Sequence, residues 1–163
     1  MNTTTTGHIT DATYLRQKFE AGLAYDAYVK TGEPDKQQAW ADIHAQSTLT
    51  DAQRRLVEGF TREMNVLVSS GVWCGDCVQQ LPLLQRIAEA NPQRINVRYL
   101  DRDEHSDLSE QLTINAGKRV PVALFLSEDF EFCSIFGDRT LTRYRAIAEK
   151  QFGAACPMPG APV

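Results

Sequence analysis

Two cysteines separated by two residues, Cys74 and Cys77, are the side chains of this sequence best suited to carry chemistry. They lie in Trp73-Cys74-Gly75-Asp76-Cys77, after the apolar run Val66-Leu67-Val68 and where a helical pattern begins. A helix start presents unpaired N–H groups and the positive end of the helix dipole, which together stabilise an anion. A cysteine placed there ionises more readily and attacks a disulfide near neutral pH. A second cysteine one turn later reaches back to resolve the mixed disulfide. Cys74 is thus expected to be the exposed nucleophile and Cys77 the more buried resolver. Asp76 brings a negative charge beside both sulfurs, so it is expected to offset part of the helix effect and leave a thiol less acidic than in a neutral loop. Trp73, next to the nucleophile, is expected to shield it and offer a contact surface.

The same pair could instead bind zinc, but that needs two more ligands, and Cys133 and Cys156 follow with no second close pair. Cys133 reads as strand packing, and Cys156 in Ala154-Ala155-Cys156-Pro157 as a terminal thiol, a third redox cysteine or an intermolecular disulfide to a second copy. His8, His44 and His105 match no metal-ligand spacing and read as surface residues; no metal is expected. With 163 residues, 17 Lys+Arg against 21 Asp+Glu and a net charge of −4, the chain fits one acidic globular domain and not a nucleic-acid binder. Its apolar runs are too short to cross a bilayer, and the polar Thr-rich start has no signal-like pattern, so no membrane partner and a cytoplasmic location are expected. In such a reducing compartment, a close cysteine pair is catalytic or metal-binding more often than a structural bridge.

The elements that must position this pair are legible in outline. Residues 1–10 read as a frayed leader. Leu15, Phe19, Leu23 and Ala27 recur every four residues and predict one helix over 11–30. Gly32 and Pro34 punctuate before a second helix over 34–46 carrying Trp40 and Ile43. A third begins at Thr50 with Gln53 in capping-box register and runs to about Glu63, presenting Ala52, Leu56 and Phe60. Strands are expected over 65–70, 95–100, 122–126 and 130–136, the last two joined as a hairpin through Ser127-Glu128-Asp129. Helices are expected over 74–90, with Pro82 kinking it near the second turn, over 107–116 and over 140–152. From residue 65 the order is β-α-β-α-β-β-α, a compact mixed sheet with helices on its faces. The expected organisation is a helical extension over 1–60 packed on a main domain over 61–153, followed by a flexible tail over 154–163.

At this point the sequence resembles the thioredoxin family. Trp73-Cys74-Gly75-x-Cys77 after an apolar strand is similar to that family's active site, and Pro82 to its helix-kinking proline. Val120-Pro121 resembles the hydrophobic residue and cis-proline that face the cysteines, and Gly137 a glycine before the last helix. More narrowly, Leu100-Asp101-Arg102-Asp103 and Gly117-Lys118-Arg119-Val120-Pro121 resemble a group of bacterial members with a helical N-terminal extension. The resemblance implies an α/β fold, a thioredoxin-like mixed four-stranded sheet flanked by helices. It further implies a thiol–disulfide oxidoreductase whose only redox group is the Cys74–Cys77 disulfide, with no added cofactor. Trp73, Gly75, Val120 and Pro121 would then contact the substrate, a protein or small-molecule disulfide, and an outside reductant would regenerate the dithiol.

Three departures accompany it. The family's buried acid, six residues before the first cysteine, is Val68 here; Gly-Pro has become Gly75-Asp76; and helix replaces the conventional first strand. Asp76 is therefore expected either to take the proton from Cys77 or to tune the potential. Lys118 and Arg119 read as solvated charge, or as groups that stabilise the Cys74 thiolate and attract acidic partners. Two other readings stay open: a redox-inactive thioredoxin-like binding module, and a glutaredoxin-like enzyme for which Gly137-Asp138 is only a partial match.

Overall fold

The computed structural model describes residues 7–153. Helices α1 (Ala12–Ala21), α2 (Tyr25–Val29), α3 (Pro34–Gln46) and α4 (Asp51–Glu58) precede β1 (Met64–Ser70), α5 (Gly75–Ala90) and β2 (Ile95–Asp101). The short α6 (Ser106–Ser109), the hairpin β3 (Val122–Leu126) and β4 (Phe132–Gly137), and α7 (Leu141–Phe152) complete the chain. The strands form one sheet in the order β2-β1-β3-β4, with β1 and β2 parallel and the other pairs antiparallel. This is the mixed four-stranded sheet expected from the sequence.

β1 is central and buried on both faces, which its Val66-Leu67-Val68 run foretells. Period-2 alternation splits its side chains: Val66 and Val68 enter a core with α2, α3 and α5, and Leu67 one with α1 and α6. The extension is integral to both cores. Tyr14 and Leu15 on α1 and Tyr28 and Trp40 on α2 and α3 are each 2% exposed or less. Trp40 meets Tyr25 and Tyr28 edge-on, and Tyr28 stacks on Tyr99 of β2.

Four expectations are corrected. The helix over 11–30 is two helices. Its chain breaks at Gly22, where a side chain would sit 2.7 Å from Arg98 Cβ, so that Leu23 can pair with Tyr99 on the open edge of β2. That edge offers backbone partners that helical spacing does not reveal. The third helix has its capping box but stops at Glu58, where Asn91 Nδ2 donates to the freed Val57 and Phe60 carbonyls. Val57 is its buried residue, while Leu56 is 69% exposed. The helix over 107–116 shrinks to one turn, because Asn115 and Ala116 adopt positive φ and Ile114 bridges Gly117. Cys133 is exposed on β4, an edge strand that no following element among the described residues covers.

Part of the leader is also tied down, for Gln111 accepts from Ile9 N and donates to Gly7 O. Residues 1–6 and the tail over 154–163, including Cys156, lie outside the described residues.

Candidate functional site

β1 ends at Ser70 and the chain turns through Gly71, whose carbonyl accepts from Cys74 N at 2.9 Å. Glycine lets the Trp73 indole fold back over this turn, since a Cβ would stand 2.7 Å from it and push it aside. Trp73 is 47% exposed and lies beneath the Arg102 guanidinium, 4.9 Å from the indole ring centre. Cys74 is the N-cap residue of α5, half-buried, and Cys77 is fully buried one turn in. Space beside Gly75 is open. The Val120–Pro121 peptide is cis, and Cys74 Sγ approaches Val120 O at 3.8 Å. Gly137 permits the end of β4 to close on this turn, for a Cβ would be 2.9 Å from Pro121 O. Cys74, Gly75, Trp73 and Val120 are thus brought together, with Pro121 adjoining.

The two thiols are electrostatically unlike. A hydrogen bond from Cys77 is the largest influence on Cys74; with the N–H groups of Cys77 and Asp76 it outweighs burial and lowers the thiol to about 6. Burial, and then the Cys74 sulfur, push Cys77 far above the ordinary thiol range. The pair therefore holds one accessible thiolate backed by one proton-bearing thiol.

Asp76 opposes the Cys74 thiolate, as expected from the sequence, but the hydrogen bonds at the helix start outweigh it, and Arg139 and Arg143 pair with its carboxylate. Asp76 Oδ2 accepts from Arg139 Nη2 at 2.7 Å, and Oδ1 from Arg143 Nε at 3.3 Å. Burial acts to raise the Asp76 carboxyl, but these guanidiniums more than offset it and hold it below the ordinary carboxylate value. The carboxylate still opposes the Cys74 thiolate, as its position requires, but its charge is largely met by the arginines. Lys118 pairs with Glu110, and Arg119 approaches Asp138 at 3.6 Å. Asp138 is buried beneath Arg119 and Arg139 and accepts from Tyr144 Oη.

The extension reaches the site without covering it. Trp40 Nε1 donates to Val72 O at 2.9 Å, which fixes the backbone one residue before Trp73. Tyr28 places its ring in the core that holds Cys77.

Sequence reading missed Arg139, Arg143, Ser70 and Tyr28. Arg139 lies just before the Thr140 N-cap and Arg143 in the first turn of α7, so no helical spacing pairs them in sequence; the fold brings both to Asp76. Tyr28 had no signal either: Ser70, Cys74 and Cys77, near its hydroxyl, are more than 40 residues away in sequence.

A family model described as thioredoxin matches residues 22–149. A thioredoxin of Alicyclobacillus acidocaldarius is 35% identical over 72 residues, which span 43% of this chain and 66% of that protein, slightly under two thirds of its length. Among solved structures, a protein of unknown function from Pseudomonas aeruginosa superposes with a TM-score of 0.73 at 23% identity, covering 85% of this chain and 87% of the other. A designed HIV epitope scaffold superposes similarly, with a TM-score of 0.72, 23% identity and the same coverages. Both structural likenesses span the helical extension as well as the sheet, and they speak to fold alone.

Proposed function

Because the chain belongs to the thioredoxin family, we propose that it is a thiol–disulfide oxidoreductase with Cys74 as nucleophile and Cys77 as resolver. The observation that carries this reading is the asymmetry of the pair: a thiol lowered to about 6 at a helix start, beside a buried thiol that keeps its proton. Cys74 Sγ attacks a substrate disulfide and the first substrate thiolate leaves. Cys77 then displaces the second, and a Cys74–Cys77 disulfide remains. An outside reductant returns the dithiol, so the cysteines themselves carry the electrons and no further cofactor is invoked. Val120 O and the cis Pro121 turn flank Cys74, where an extended segment of a protein or small-molecule disulfide would lie. Trp73 and the open space beside Gly75 would complete that contact surface. Asp76, held as a carboxylate by two arginines, serves better to tune Cys74 than to take a proton.

No helix among the described residues is long and apolar enough to cross a membrane. A cytoplasmic site of action, where reductants keep the pair as thiols, is part of the same proposal. A vestigial pair in a binding module would need no acidic, accessible thiol, and burial of Asp138 under its own arginines leaves it poorly placed to hold a glutathione-like ammonium.

The test is the pH dependence of Cys74 alkylation by iodoacetamide in the reduced protein. The rate should rise with pH about a midpoint near 6, instead of the roughly 8.5 of a free cysteine. Asp76→Asn removes the opposing charge and frees two guanidiniums, so the midpoint should move lower still. A midpoint at the free-cysteine value would contradict the proposal.

A further inference from the structure

Resolution requires a buried thiol to ionise. Cys77 is fully buried in a core of Val68, Val72, Trp40 and Tyr28, where few polar groups, Ser70 and the Gly71 N–H among them, can meet its thiolate. On the β1 face towards Cys77, Val68 is followed two residues later by Ser70, also fully buried. Among the described residues, the hydroxyls of Tyr28 and Ser70 are buried without a hydrogen-bond partner of good geometry. Such buried hydroxyls are poorly satisfied unless a better partner appears in some working state. Both bear on the same place: Ser70 acts on Cys77 and on Tyr28 through hydrogen bonding, and Tyr28 senses the charges of Cys77, Asp101 and Cys74.

Resting on the reductase reading above, we infer that Tyr28 and Ser70 are positioning residues for resolution, their hydroxyls donating hydrogen bonds to the Cys77 sulfur as it becomes a thiolate. The helical extension would thereby supply part of the site through Tyr28. Burial above all keeps the phenol protonated well beyond its ordinary range, so at neutral pH it is a donor and not a base. In the step itself Cys77 Sγ–H loses its proton, and the sulfur bonds to Cys74 Sγ. The Cys74–substrate S–S bond breaks, and the substrate sulfur leaves with the electron pair. It takes up a proton, so the net change is Cys77–H to substrate thiol, and no further oxidant or reductant enters. The groups facing this event are Cys74 on α5, Ser70 and the Gly71 N–H after β1, Tyr28 on α2 and Asp101 on β2.

Single-turnover reaction with dithiobis(nitrobenzoate), in a Cys133→Ser, Cys156→Ser background, separates the two readings. The first chromophore release reports attack by Cys74, and the second reports resolution by Cys77. In Tyr28→Phe, Ser70→Ala and the double variant, the second release should slow relative to the first of the same protein. The loss should be about 10- to 100-fold in the double variant, the worth of hydrogen bonds to a charged group. Its pH midpoint should rise, a change that loosened packing alone would not produce. Tyr28→Phe keeps the stacked ring, and near-UV circular dichroism checks the fold. An unshifted second release, with a normal first one, overturns this inference and leaves the reductase reading standing. Loss of the first release from the parent protein overturns both.

Discussion

Cys74→Ser should reduce dithiothreitol-driven insulin reduction by at least about a thousandfold, to the uncatalysed background, as removal of a covalent nucleophile does. The expectation follows from the position of the sulfur. Cys74 caps α5, receives hydrogen bonds from Cys77 and the first-turn N–H groups, and faces Val120 O. A serine hydroxyl in that place remains protonated and forms no disulfide. Cys77 cannot substitute, being fully buried with its proton firmly held. Cys133 cannot either: it is exposed on edge strand β4, outside the environment that lowers Cys74. Cys133→Ser should accordingly retain turnover in the same assay.

Trp40→Ala should be the most destabilising single change in the extension. The indole is fully buried, packs edge-on against Tyr25 and Tyr28, and donates its one N–H to Val72 O. Emptying such a site costs about 3–5 kcal/mol through lost burial and the cavity left behind. In a domain of this size that corresponds to a fall in Tm of roughly 6–20 °C. The Val72 carbonyl also loses its partner, and the Trp73–Cys74 segment is released on one side. Reductase activity should therefore fall even below the new Tm. Trp40→Phe, which keeps a ring but no donor, should lose less stability. A Trp40→Ala protein melting within a degree or two of the parent would show that α3 is not anchored in this way.

The cysteine pair and the sheet were legible because their signals are local. Val66-Leu67-Val68 announces a buried strand, a helical pattern begins at the cysteines, and Val120-Pro121 opens the next strand. What escaped depends on contacts distant in sequence. Leu23 leaves its helix to pair with Tyr99, and α4 ends where Asn91 accepts the duty of capping its carbonyls. The opposing charge of Asp76 was legible with its right sign, but neither its pairing with Arg139 and Arg143 nor the hydrogen bond from Cys77 that outweighs it was. Tyr28 reads in isolation as one aromatic on a short helix. Only the fold sets its hydroxyl towards Cys77 and Ser70.

The division of labour between the two cysteines is the centre of this account, and covalent trapping tests it most directly. Cys77→Ser protein, reduced and then mixed with a peptide disulfide, should accumulate a stable one-to-one mixed disulfide that peptide mapping by mass spectrometry places on Cys74. An adduct on Cys133 or Cys156 in place of Cys74, or none at neutral pH, would contradict the assignment of Cys74 as the nucleophile.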